Sequence, residues 1–134
     1  ERRRRIISYD VAARPEELAA FIDELDSEWV TACLDLGHCG LVGEDAAASI
    51  RVLGHDRLGA LHVHDNNYRE DTHTLPGIGL MDWNGICAAL HDINYKGEFT
   101  FEADNFLHNF PNDYLERAAA FMVQTGRYLI SKIG

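Results

Sequence analysis

The sequence predicts an α/β fold built on a parallel sheet, and three observations predict it. Stretches with helical spacing of apolar residues alternate with short apolar runs, in the order helix, strand, helix, strand, helix, strand, helix. No linker or low-complexity segment interrupts that alternation. Each strand-length run also ends on polar residues that can hold a ligand, as the C-terminal ends of parallel strands do in α/β proteins.

Residues 15–25, PEELAAFIDEL, read as the first helix. Pro15 suits a first turn, acidic residues follow it, and Leu18, Phe21, Ile22 and Leu25 recur at helical spacing. Residues 29–36, WVTACLDL, are apolar, of strand length and without a helical stripe, and Gly37 stops them. Residues 44–53, EDAAASIRVL, return to helix and are closed by Gly54. Residues 58–64 form a second strand. The polar stretch from Asp65 to Gly79 carries Pro76, Gly77 and Gly79 and reads as loop. At 82–93, Asp82 is an N-cap and Ile86, Leu90 and Ile93 make the stripe. Residues 98–103, EFTFEA, are the third strand. A long helix then spans 112–133, starting at Asn112 or Asp113 and striped by Leu115, Ala119, Met122, Leu129 and Ile130.

The 134 residues, 46% of them hydrophobic, suit one domain with a real core. Three parallel strands with four helices make a thin sheet, whereas a closed (β/α)8 barrel runs to ~250 residues. The expectation is therefore the C-terminal part of a larger TIM barrel, its N-terminal half absent, or a half-barrel that must dimerise. The start at Glu1, with no strand before it, favours the former.

A formal charge of -10 and a pI near 5.0 argue against nucleic acid as a partner, since phosphate binding is driven by Lys and Arg. The one basic run, Arg2 to Arg5, reads as a solvated terminus, with a grip on an anionic group as the alternative. Cys33, Cys39 and Cys87 are odd in number and not in CxxC spacing, which suits a reducing interior. No apolar run approaches a membrane span and no secretory signal follows the arginines, so cytoplasm is the expected compartment and no membrane partner is expected.

The strand ends carry the chemistry. The first ends CLDLGH, with Asp35 and His38; the second ends LHVHD, with His62, His64 and Asp65; the third ends FTFEAD, with Glu102. One acidic residue at a strand end is ordinarily a solvated loop carboxylate. That all three strands end this way is harder to assign to chance. If the ends open onto one face, Asp35, His62 and Glu102 converge, and two carboxylates with an imidazole suit Mn²⁺, Mg²⁺, Co²⁺ or Zn²⁺. His55 and His91 read as surface, and Trp83 as packing. His108 lies near the same face without an assigned role.

These stretches, CLDLGH, LGALHVHDNN, HTLPGIGLMDW and DINYKGEFTFEAD, resemble the sugar phosphate isomerase/epimerase superfamily of xylose isomerase-like TIM barrels. Its members include ketose 3-epimerases, hydroxypyruvate isomerase, inosose dehydratase and the endonuclease IV branch. The resemblance covers the chain from about Pro15 onward and lies in the order and spacing of the motifs. It implies one divalent ion held by Glu, Asp, His and Glu from four strand ends. Asp35 and Glu102 match two of these. His62, three residues before Asp65, matches the histidine better than His64, which the resemblance leaves for the substrate or for support of a ligand. The first Glu belongs to a strand this sequence does not contain, and Glu1 does not replace it. His38 matches a histidine that binds substrate oxygen in epimerases and metal in the endonuclease branch. Asp71 and His73 precede LPGIG as a metal-binding Asp-x-His does in that branch, and His73 reads first as a substrate contact.

The implied reaction is proton transfer on a sugar or sugar phosphate through a metal-stabilised enediolate, with Glu102 as both ligand and acid/base. Epimerisation, aldose–ketose isomerisation and dehydration are not distinguished, and a homo-oligomer is left open. Two alternatives stand: endonuclease IV-like, metal-dependent phosphodiester cleavage, and a non-catalytic half-barrel.

Overall fold

A computed structural model describes residues 11–134, so the readings placed on Glu1 and on Arg2 to Arg5 lie outside the described residues. Three parallel strands, β1 (Ala32–Asp35), β2 (Leu58–Val63) and β3 (Glu98–Phe101), form one sheet in the order β1-β2-β3. Helices α1 (Pro15–Leu25), α3 (Ala46–Arg57), α4 (Trp83–Asp92) and α6 (Leu115–Ile133) are those the apolar periodicity predicts. Two short helices, α2 (Leu36–Val42) and α5 (Asp104–His108), follow β1 and β3 directly.

Local chemistry explains most boundaries. Pro15 opens α1, with Glu16 and Glu17 in its first turn. Asp82 caps α4 by accepting from the Gly85 N–H at 3.1 Å. Asp45 caps α3 in the same way, accepting from Ala48 at 2.7 Å. Gly54 breaks the regular run of α3 with φ 69° and ψ -177°, and one further turn leads into β2. Asn112–Tyr114 form a single 3-10 turn, so the last α-helix begins at Leu115 rather than at 112 or 113. The first strand is shorter than WVTACLDL suggests. Trp29 is 89% exposed and Val30 also faces solvent, leaving Ala32–Asp35 to pair with β2.

The two sheet faces differ. Ala32, Leu34, Leu61 and Val63 are buried against the helices, and Phe99 and Phe101 pack onto the same core. The alternate positions, Cys33, Asp35, Ala60, His62, Glu98 and Thr100, are turned to the other face and are exposed or half-buried. Around the apolar face α1 packs on α3, α3 on α4 and α4 on α6. A smaller cluster of Leu75, Ala103, Phe106 and Ala118 seals the end from which the strands emerge. No helix among the described residues is long and apolar enough to cross a membrane.

Candidate metal centre

Strand register brings the candidate residues together. Asp35 pairs with His62 across the β1–β2 ladder, and His62 pairs with Thr100 of β3. Glu102 follows two residues later, its N–H bonded to Val63 O at 3.0 Å, so the ladder carries it to the same level. One ligand atom each from Asp35, His62 and Glu102 lies within 4.8 Å of the others. His62 Nδ1 stands 3.1 Å from Glu102 Oε2 and 3.9 Å from Asp35 Oδ2. Glu102 Oε2 is nonetheless buried without an aligned hydrogen-bond donor. Two carboxylates facing one imidazole with an orphaned oxygen between them form a donor set that a divalent cation would complete, so the residues fit the implied ion.

Asp35 is the hub. Its Oδ1 accepts the His38 N–H at 2.8 Å, which caps α2, and also accepts His64 Nε2–H at 2.9 Å. Its Oδ2 lies 2.8 Å from His38 Nδ1. Burial alone would push the Asp35 carboxyl up. The bonds from His64 and the His38 backbone, with the positive character of those imidazoles, outweigh it and hold the group below the usual carboxylate range.

A second cluster adjoins the first. His38 Nε2 reaches Asp71 Oδ2 at 3.1 Å, and His73 Nε2 reaches Asp71 Oδ1 at 3.1 Å. His38 thus bridges the carboxylates of Asp35 and Asp71. His73 donates from Nδ1 to the Glu102 carbonyl at 2.8 Å. Burial alone would lower the His73 value, but the Glu102 carbonyl and the Asp71 carboxylate overcome it and hold His73 above the usual imidazole range. Ligand atoms of His38, His64, Asp71 and His73 also lie within 4.8 Å of one another. His73 sits at a φ of 42°, a left-handed conformation uncommon outside glycine.

His64 lies behind the mouth. It is 0% exposed, stacked on His73 at 4.0 Å, and its Nδ1 has no hydrogen-bond partner. The α2 backbone passes so close at Gly37 that any Cβ there would overlap the His64 ring. In this arrangement His64 donates to Asp35 from a fully buried position, whereas His38 and His73 keep some exposure. His55 and His91 bond backbone carbonyls of Asn94 and Ile133 at the surface. Trp83 packs on the core and donates Nε1–H to Asp65 Oδ2 at 2.8 Å. Sequence reasoning placed Asp65 among the strand-end residues able to hold a ligand and as the acidic residue three after His62; in the structure it is buried outside both clusters, its carboxylate taken up by four N–H groups. Its density of N–H partners has no signal in the sequence.

Comparison with known proteins gives the architecture a context. The chain is 39% identical over 87 residues to the D-psicose 3-epimerase of Enterocloster bolteae, covering 65% of this chain and 27% of that protein. A crystal structure of D-psicose 3-epimerase in the presence of D-fructose superposes with a TM-score of 0.74 at 22% identity, over 90% of this chain and 45% of that one. The structure of the IolI protein with a bound zinc atom superposes with a TM-score of 0.61 at 18% identity, over 88% and 42%. The chain therefore spans about a third or less of the curated relatives it matches, 34% and 27% for two of them, and corresponds to part of a barrel. The family model for the xylose isomerase-like TIM barrel matches residues 6–125, and the chain belongs to that family.

Proposed function

We propose that this chain carries part of the active site of a divalent-metal-dependent isomerase or epimerase of sugars or sugar phosphates. The observation that carries the reading is the convergence of Asp35, His62 and Glu102 around the orphaned Glu102 Oε2. These three would hold the ion, with Mn²⁺, Mg²⁺, Co²⁺ and Zn²⁺ all suited to the donor set. When bound, the ion supplies Lewis-acid polarisation of neighbouring substrate oxygens. The side chains do the rest. Glu102 takes a carbon-bound proton beside a carbonyl; its delivery to the neighbouring carbon gives isomerisation, and reprotonation of the same carbon from the opposite face by a second group of the barrel gives epimerisation. His38 and His73 line the mouth and bind substrate oxygens. His64 and the His38 backbone keep the Asp35 carboxylate ionised and fixed in place. The psicose epimerase relative supports a ketose-type substrate.

Metal analysis of the full protein, followed by a ketose screen for exchange of substrate hydrogen with deuterated water, tests this. Bound metal, its loss in Asp35→Asn and His62→Ala, and exchange with at least one ketose are expected. Unchanged occupancy in both variants would overturn the ligand assignment. No exchange despite bound metal would overturn proton transfer.

A second reading, phosphodiester cleavage, is favoured by one observation: His38, Asp71 and His73 could hold a further cation beside the first. The formal charge of -10 weighs against a nucleic-acid substrate. Metal stoichiometry decides, since a single ion supports the sugar enzyme and several ions support the phosphodiesterase.

A further inference from the structure

We propose that Asp65 is a positioning residue whose carboxylate and main chain together clamp the loop between β2 and α4 and thereby set where Asp71 and His73 stand. It rests on the functional reading only in treating those two residues as part of the site.

Asp65 is 0% exposed. Its Oδ1 accepts the N–H groups of Asn66 at 2.8 Å and Met81 at 3.1 Å. Its Oδ2 accepts Gly77 N–H at 2.8 Å and Trp83 Nε1–H at 2.8 Å. All four donors are neutral N–H groups, and a buried carboxylate is tolerated only when its oxygens are satisfied in this way. The main chain of the same residue pairs with Thr74 in both directions, at 2.7 and 3.2 Å, and its carbonyl accepts Thr72 Oγ1–H at 3.2 Å. His73 lies between those two threonines.

Other bonds tie the loop at single points, Asn66 Nδ2 donating to Gly37 O at 2.8 Å and Asn105 Nδ2 to Thr72 O at 3.1 Å. Leu75, Pro76 and Met81 are buried, but Tyr68, Ile78 and Leu80 face solvent. Gly79 rests directly on the Asp65 carboxylate, where a Cβ would collide with it. The carboxylate thus fixes the limb from Gly77 to Trp83 while the main chain of the same residue fixes the limb bearing His73, which is pressed onto the Glu102 carbonyl and the His64 ring. The trio of Asp35, His62 and Glu102 hangs from strand ends and makes no hydrogen bond to the Asp65 carboxylate.

Only an ionised carboxylate satisfies the network. An amide of the same shape has one acceptor oxygen and would turn an NH₂ group toward two N–H donors. In the full chain, Asp65→Asn is therefore expected to speed amide exchange at Gly77 and Met81 by about tenfold or more. It should also shift the His73 ring-proton resonances and leave Mn²⁺ affinity at the trio intact. Trp83→Phe removes one donor without touching the carboxylate, and should produce the same pattern in weaker form should the first variant fail to fold. Unmoved His73 resonances and unmoved exchange at Gly77 and Met81 would overturn the proposal. So would a loss of Mn²⁺ affinity in step with stability, because that marks a general structural role. A wild-type protein that binds no Mn²⁺ sinks the metal reading alone, since the exchange and resonance measurements still decide the clamp.

Discussion

His64 donates from Nε2 to Asp35 Oδ1 across 2.9 Å, from a position with 0% solvent exposure. This bond orients the carboxylate that would face the ion, and partners of this kind typically govern affinity by about 10- to 100-fold. His64→Phe keeps the ring stacked on His73 but removes the donor. Its Mn²⁺ affinity should fall by about that 10- to 100-fold factor, measured by calorimetry. Unchanged affinity would mean that His64 does not position Asp35.

The metal-free protein should show opposing pH dependences from two groups. Asp35 is depressed below its ordinary 3.8, so its contribution is complete above that value and is lost as pH falls through the lower folded value. His73 is raised above its ordinary 6.5, so its contribution is complete below 6.5 and is lost as pH rises through the higher folded value. The melting temperature of wild type minus that of His73→Gln, followed from below to well above 6.5, should therefore shrink with rising pH. A difference that grows with pH would refute the assignment.

Gly37→Ala sets two effects against each other. Alanine gains up to about 1 kcal/mol of helix propensity over glycine. Its methyl group would enter space occupied by the His64 ring, and overpacking of this kind costs about 1–3 kcal/mol. The clash should win, because His64 is fully buried and stacked on His73, with little room to give way. Urea denaturation should give a net loss of stability, accompanied by weaker Mn²⁺ binding.

Leu61 has 0% exposure on the helix-facing side of the central strand. Leu61→Ala should cost about 2–5 kcal/mol in chemical denaturation. Leu80 is 68% exposed, and Leu80→Ala should stay within about 0.5 kcal/mol of wild type.

Much of this was legible in the sequence. The four long helices and three strands followed from apolar spacing. The meeting of Asp35, His62 and Glu102 followed from each strand ending on a polar residue. The two short helices were not legible. Residues 36–42 hold Gly37 and Gly40 in one seven-residue helix, too short for a periodic stripe and too rich in glycine to suggest one. The bond that starts this helix comes from Asp35, a side chain already assigned to chemistry. His62 and His64 lie two apart, a spacing that puts both on one face of a continuous strand, but β2 ends at Val63. Past that point the chain leaves the ladder, and His64 is buried while His62 is open. Pairing of Asp71 with His38 spans 33 residues and depends on a loop path that no local pattern encodes.

The two histidine–carboxylate clusters differ in what they are mounted on. One stands on strand termini tied into the sheet, and the other on a short helix and a surface loop. Insertions, deletions and substitutions between residues 67 and 73 can therefore remodel what enters the mouth while leaving the strand-borne trio unchanged. Under the proposed function, such changes would alter which substrate is accepted without altering the groups that hold the ion.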